Sequence, residues 1–100
     1  GIRIMNEIKY EWDERKSITN KIKHGVTFEE AITVFEDADA LVISDPDHSI
    51  DEERFIILGI SNVARVLVVC QCYRQSDVVI RSISARKATK SERNQYNRRK

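Results

Sequence analysis

Glycine, proline and histidine are scarce in this chain, with three, one and two copies among 100 residues. So few glycines exclude the glycine-rich loops that cradle phosphates, and neither a P-loop nor a dinucleotide-binding turn can be found. No nucleophile elbow and no zinc-ligand spacing is present. Long apolar runs are missing too. The longest, Val66 to Cys72, is broken by Gln71 and falls far short of the ~20 residues a membrane-spanning helix needs. Ile2, Ile4 and Met5 are interleaved with Arg3 and Asn6, which is not the apolar segment of a signal peptide. A cytoplasmic chain is therefore expected, with Met5 as its expected native start. The two cysteines, Cys70 and Cys72, share one face of a strand at about 6.5–7 Å, the edge of bridging distance. They read as two buried thiols, and their spacing supplies too few ligands for a metal.

Basic residues are absent from one long stretch. Between His24 and Glu53 there are ten acids and no lysine or arginine. The other seventy residues hold seventeen bases against six acids. A net charge of +1 thus conceals two oppositely charged parts. Such separation suits a basic face for a polyanion and an acidic face for a basic partner. Two readings stay open: segregated surfaces, or charges that mix in space.

What is present is enough for one core. Apolar residues make up 41% of the chain and charged residues 33%, which suits a globular chain read as one domain over residues 1–100. Three runs rich in β-branched residues dominate: Arg54–Ile60, Val66–Arg74 and Val78–Arg86. Turn-forming residues separate them by short gaps, so they read as an antiparallel meander. Ile8–Trp12 alternates apolar and polar residues and reads as an earlier strand. Asp13 is a good N-cap for a helix to about Lys23, with Ile18 and Ile22 as its apolar stripe and Gly25 as its left-handed stop. Thr27 and Glu30 fit a capping box for a second helix through Phe28, Ala31, Ile32 and Phe35. Ala40–Ser44 is a short strand, and Asp45–Ser49 a loop. Thr89 and Glu92 fit another capping box, opening a helix through Tyr96 with a flexible basic tail at residues 97–100. Helices segregated from an antiparallel sheet make the class α+β.

Chemistry-bearing residues cluster late in the chain. Seven bases fall in the last fifteen residues, among them Arg86, Lys87 and Lys90, with Glu92 the only acid. Arginine's planar fork suits phosphate. Strict alternation in the third run puts Arg81 with Val79, Ile83 and Ala85, and Arg86 with Ile80, Ser82 and Ser84 on the opposite face. Arg81 is then either a ligand-facing cation or one half of an ion pair with a carboxylate such as Glu53. His24 and His48 are the candidates for proton exchange near neutrality. Glu53 beside Arg54 sets a carboxylate and a guanidinium at a strand entrance. Tyr73 and Tyr96 offer rings for stacking on bases or hydroxyls for phosphate, with core burial the plainer role for Tyr73.

Several short segments, in order, resemble one family. They are Tyr10-Glu11-Trp12-Asp13, Lys23-His24-Gly25-Val26, Phe28-Glu29-Glu30-Ala31 with Val34-Phe35, Asp45-Pro46-Asp47-His48-Ser49, Glu52-Glu53-Arg54-Phe55, Leu58-Gly59 with Ser61, Leu67-Val68-Val69, and Ile83 to Thr89 with Glu92 and Tyr96. Together they resemble the BrnT toxins of type II toxin–antitoxin systems. The resemblance implies a RelE-like fold, with two N-terminal helices on a twisted antiparallel sheet and a C-terminal helix. It implies a ribonuclease that needs no metal or other cofactor and blocks translation by cutting RNA. It implies as partners an RNA substrate and a BrnA-like DNA-binding antitoxin, through which the complex reaches operator DNA. Carried over by motif, His24, Glu53, Arg54 and Arg86 are the catalytic candidates. Lys23, Arg81, Lys87, Lys90 and Tyr96 are the RNA-binding candidates. The sequence departs from the family at Cys70-Gln71-Cys72-Tyr73, where many relatives carry a histidine or another polar residue. The alternative from another class is a RelE-like module that binds antitoxin or RNA without cutting.

Overall fold

The computed structural model of the chain describes residues 1–44, 53–74 and 79–99. The expected loop at Asp45–Ser49, with His48, lies outside the described residues, as do Glu52 and Lys100. Strands β1 (Ile2–Met5) and β2 (Ile8–Glu11) come first. Helices α1 (Glu14–His24) and α2 (Phe28–Ala31) follow, and α2 runs straight into a 3₁₀ segment, Ile32–Glu36. Strands β3 (Leu41–Ser44), β4 (Glu53–Ile60), β5 (Val66–Arg74) and β6 (Val79–Lys87) precede helix α3 (Lys90–Arg99). The helix α3 continues through Arg99, where the sequence suggested a tail.

All six strands form one sheet in the order β1-β2-β6-β5-β4-β3. The pairs are antiparallel except β2 with β6, which run parallel. The meander β4-β5-β6 stands at its centre, as the β-branched runs suggested. The connection from β2 to β6 passes through most of the chain, which satisfies the long crossover a parallel pair requires. The fold is the RelE-like α+β fold, with one parallel contact in place of a wholly antiparallel sheet.

One sheet face carries α1, α2 and the 3₁₀ segment. Tyr10, Val26, Phe28, Ile32, Val34, Leu67, Val69 and Ile80 form its core. Trp12 anchors the passage from strand to helix, as its face predicts. The second helix tightens to 3₁₀ after Ala31. With three residues per turn instead of 3.6, Val34 turns fully inward and Phe35 is left half-buried. Phe35 then meets the rings of Tyr10 and Phe55, with centroids 5.0 and 6.3 Å away. A smaller cluster of Leu58, Ala88 and Tyr96 seats α3 on the opposite sheet face.

The caps follow the sequence closely. Asp13 accepts the Lys16 N–H, and Gly25 ends α1 at φ 72°. Thr27 accepts the Glu30 N–H. Glu30, however, does not reach back to close that box. Its carboxylate instead takes two N–H groups of Arg65 and the Ser61 hydroxyl, the latter at 2.7 Å. Burial works against the ionised form of Glu30, but the hydrogen bonds from Arg65 and Ser61 outweigh it and hold its carboxyl below the usual range. Arg65 also donates to the Gly25 carbonyl, so one ion pair ties the end of α1, the start of α2 and the β4–β5 turn.

Helix α1 corrects the sequence reading most sharply. Its isoleucine stripe does not pack on the sheet: Ile18 is 58% exposed and Ile22 80%. The buried side chains are Ser17 and Asn20. Ser17 accepts the Phe28 N–H. Asn20 accepts the Ala85 N–H at 3.1 Å and donates to the carbonyls of Ala85 and Val26, each at 2.8 Å. The Asn20 amide therefore stands in for a neighbouring strand at the β6 edge that β2 leaves uncovered. A buried backbone needs such partners, so here polar burial wins over apolar burial.

Candidate functional site

Among the described residues, the sheet face opposite α1 and α2 is covered by α3 at one end. Its composition follows from register. Arg54 lies opposite Cys72, Cys72 opposite Arg81, and Arg81 beside Glu11. In the next row Ile43, Ile56, Cys70 and Ser84 are aligned. The third row holds Leu41, Leu58, Val68 and Arg86. Arg54, Arg81 and Arg86 thus project from one face, Arg54 and Arg81 from strands about 9.5 Å apart.

This gathering corrects the alternation read from sequence, which placed Arg81 and Arg86 on opposite faces. The β5–β6 register shifts between Cys70 and Gln71, leaving Ile83 as an extra residue between Ser84 and Ser82. A bulge reverses alternation on one side of itself. Ser82 and Ile80 are accordingly buried with Ala85, while Arg81 joins Ser84 and Arg86. Arg81 is an ion-pair partner too, but of Glu11 at 3.4 Å rather than of Glu53.

A cavity of about 180 Å³ opens beside β6, lined by His24, Ile56, Val68, Cys70, Ser84 and Arg86. Its floor is aliphatic, with a thiol and a hydroxyl. His24 is the last residue of α1, and the Asn20 contact with Ala85 one turn earlier holds that helix end against β6. Arg86 is fixed from the other direction. Its Nη1 and Nη2 donate to the two oxygens of Glu92 at 2.7 and 2.9 Å. Glu92 also accepts the Thr89 N–H, and Thr89 accepts the Glu92 N–H, so this capping box is complete. The Arg86 bond raises the arginine's proton affinity, and its guanidinium stays charged throughout the working range.

The structure brings His24 and Arg86 to one cavity and sets Arg54 and Arg81 along the same face. It does not bring Glu53 there. Glu53 is the strand neighbour of Arg54, so it points to the opposite face. Lys87 likewise points away from Arg86 and lies near Gly25. Lys23 is exposed beside His24, and Lys90 is exposed in the first turn of α3. Tyr96 is 1% exposed, and its hydroxyl donates to Asp37 at 2.6 Å. Asp37 also accepts the Ile60 N–H. Gly59 permits this close approach: a Cβ there would lie 3.2–3.3 Å from Ala40, Asp37 and Val34. The cysteines form no disulfide with each other; Cys72 is buried and Cys70 half-buried at the cavity.

Glu92 and Asn20 were missed as site residues by sequence reasoning. The Thr89–Glu92 spacing announced the cap, but the second use of the carboxylate has no local signature. Asn20 gave no signal, because its partner lies 65 residues away. Within the acidic stretch, Glu30 and Asp37 are spent on interior bonds, and Asp45, Asp47, Asp51 and Glu52 lie outside the described residues. No three His, Cys, Asp or Glu side chains gather to hold a metal among the described residues. No helix among them is long and apolar enough to cross a membrane.

Known proteins add to this geometry. The family described as the ribonuclease toxin BrnT of type II toxin–antitoxin systems matches residues 12–92. The structure is similar to that of the Brucella abortus ribonuclease toxin BrnT, with 26% identity and a TM-score of 0.60, covering 79% of this chain and 94% of that one. No curated protein matches the chain. The family match spans most of the sequence and includes the cavity, both α1 and β6, and the Arg86–Glu92 pair, so the chain belongs to the BrnT toxin family of type II toxin–antitoxin systems.

Proposed function

We propose that this chain is a metal-independent endoribonuclease that blocks translation by cutting RNA and is neutralised by a BrnA-like antitoxin. The observation that carries the reading is the pairing of His24 and Arg86 at one cavity on a face that also holds Arg54 and Arg81. RNA supplies its own nucleophile. The 2′-oxygen loses its proton and attacks the adjacent phosphorus, and the P–O5′ bond breaks as the 5′-oxygen takes up a proton. The products are a 2′,3′-cyclic phosphate and a free 5′-hydroxyl. The reaction needs a group that exchanges protons and a cation for the charge of the phosphorane. His24 supplies the first and Arg86 the second. Arg54 and Arg81 hold phosphates along the strand, with Lys23 and Lys90 at the margins. Glu53, on the other face, takes no part. Cys70 lines the cavity and shapes its floor without exchanging protons.

Operator DNA enters only through the antitoxin, which carries the DNA-binding part of the complex. The deciding experiment is cleavage of a defined single-stranded RNA in EDTA by wild type, His24→Gln, Arg54→Ala and Arg86→Ala. Cutting that persists in EDTA and drops at least about a hundredfold in His24→Gln and Arg86→Ala, roughly 2.7 kcal/mol each, is expected. No cutting by folded wild type would favour the non-catalytic binding module. Undiminished cutting in both variants would place the active site elsewhere.

A further inference from the structure

We propose that the outer face of α1 docks an acidic amphipathic helix of the antitoxin. The inference rests on the toxin–antitoxin reading and names the surface that reading leaves open. In α1 the interior is served by polar side chains: Ser17 and Asn20 are each 6% exposed and bind backbone groups. Ile18 and Ile22, one turn apart, lie about 100–160° around the helix axis from them. Their exposures of 58% and 80% show that the fold makes no use of them. Single exposed isoleucines are ordinary, but a pair at i and i+4 is the spacing by which one helix packs on another.

Charge selects the partner. Arg15 and Lys21 flank the isoleucine pair by helical position, and Lys16 is also exposed, while Glu14, the only acid in the helix, sits one turn before Ile18 on the same ridge. A cationic rim around an apolar pair fits a helix with apolar residues at the same spacing and carboxylates beside them. Nucleic acid fits less well, because α1 carries no aromatic ring on which a base could stack. Two isoleucines are also a narrow stripe for a helix lying in a membrane surface.

The test measures binding of the full chain to the protein encoded by the adjoining reading frame of its operon, by titration calorimetry. Wild type is compared with Ile18→Asp/Ile22→Asp and with Arg15→Glu/Lys21→Glu. All four positions are exposed, and circular dichroism checks that each variant is folded. The isoleucine variant is expected to bind at least about a hundredfold more weakly. The charge-reversed variant is expected to lose at least about tenfold and to lose most of the salt dependence of binding. RNA cleavage by the free variants is expected to match wild type. Unchanged affinity in the isoleucine variant overturns the docking surface while leaving the toxin–antitoxin reading intact. Unchanged affinity and salt dependence in the charge-reversed variant overturns the acidic chemistry of the partner. Lost RNA cleavage with retained affinity assigns the face to RNA instead. Absence of binding by wild type overturns this proposal together with the reading beneath it.

Discussion

Arg86 and Glu92 are joined by two parallel hydrogen bonds, Nη1 to Oε1 at 2.7 Å and Nη2 to Oε2 at 2.9 Å. The pair locks the last strand to the helix that follows it. The hydrogen bond from Arg86, aided by the Thr89 N–H, brings the Glu92 carboxyl down from its usual 4.5 to about 2. A depressed carboxyl stabilises the fold fully above its unfolded value, and that contribution fades as pH falls from about 4.5 toward about 2. Glu92→Gln is expected to cost about 1 kcal/mol at pH 7, since the pair is partly solvated and also serves a cap. Urea titrations should show the wild-type advantage shrinking between pH 5 and about pH 2. A variant that tracks wild type at every pH would show that the pair adds nothing to stability.

The Tyr96 hydroxyl gives the opposite sign at the alkaline end. Burial, and then the hydrogen bond to Asp37, raises its pKa above the usual 10.0. The unfolded chain ionises first, so this contribution is present below pH 10 and is lost as pH rises beyond it. Tyr96→Phe is expected to lose about 1–2 kcal/mol near neutrality, the cost of removing a buried hydrogen bond that leaves Asp37 short of a donor. It should also flatten the alkaline decline measured by thermal melting. RNA binding by this variant tests the other role considered for Tyr96: a fold-corrected loss of affinity would return the hydroxyl to the RNA interface.

Asn20→Leu has nearly the same volume and lacks the amide. It strands the N–H and C=O of Ala85 and the Val26 carbonyl at a buried edge. A loss of about 2–3 kcal/mol is expected in chemical denaturation. Hydrogen exchange at the Ala85 amide should accelerate by more than the global destabilisation accounts for. Global and local changes of equal size would mean that water replaces the amide without difficulty.

Arg86→Lys keeps the charge and discards the fork. Lysine cannot hold both oxygens of Glu92 and address phosphate in one plane. Under the proposed chemistry kcat/KM for RNA cleavage is expected to fall at least about tenfold, or roughly 1.4 kcal/mol. Full activity in this variant would reduce the role of Arg86 to a point charge.

The parts of the fold that depend on near neighbours were legible in the sequence. The β-branched meander, the Asp13 and Thr89 caps and the Gly25 stop are local patterns, and all are found where they were read. Strand β1 was not, because its turn to β2 uses Asn6 and Glu7 at φ 50° and 67° instead of the glycine that usually marks such a hairpin. The exposed face of α1 was misjudged because Asn20 answers to an edge that only the assembled sheet creates. Tyr96 was read among the RNA-binding candidates, and its bond to Asp37 had no local signature because that partner is 59 residues away. Among the site residues, His24 and Arg86 come together in space, whereas Glu53 and Arg54 were joined only in sequence.

The extra residue at Ile83 has a broader meaning. Side-chain direction along a strand behaves as parity, odd or even, and the insertion of one residue inverts it for everything on one side. The two halves of β6 therefore obey different parities on a single continuous strand. Were the bulge flattened with Ile83 kept in the ladder, one parity would run throughout, sending the Arg81 guanidinium toward the aliphatic core and the small Ser82 hydroxyl out to the other face; deletion of Ile83 itself would leave both where they are. In this family member, three cations on one surface are thus a property of register as much as of amino-acid identity.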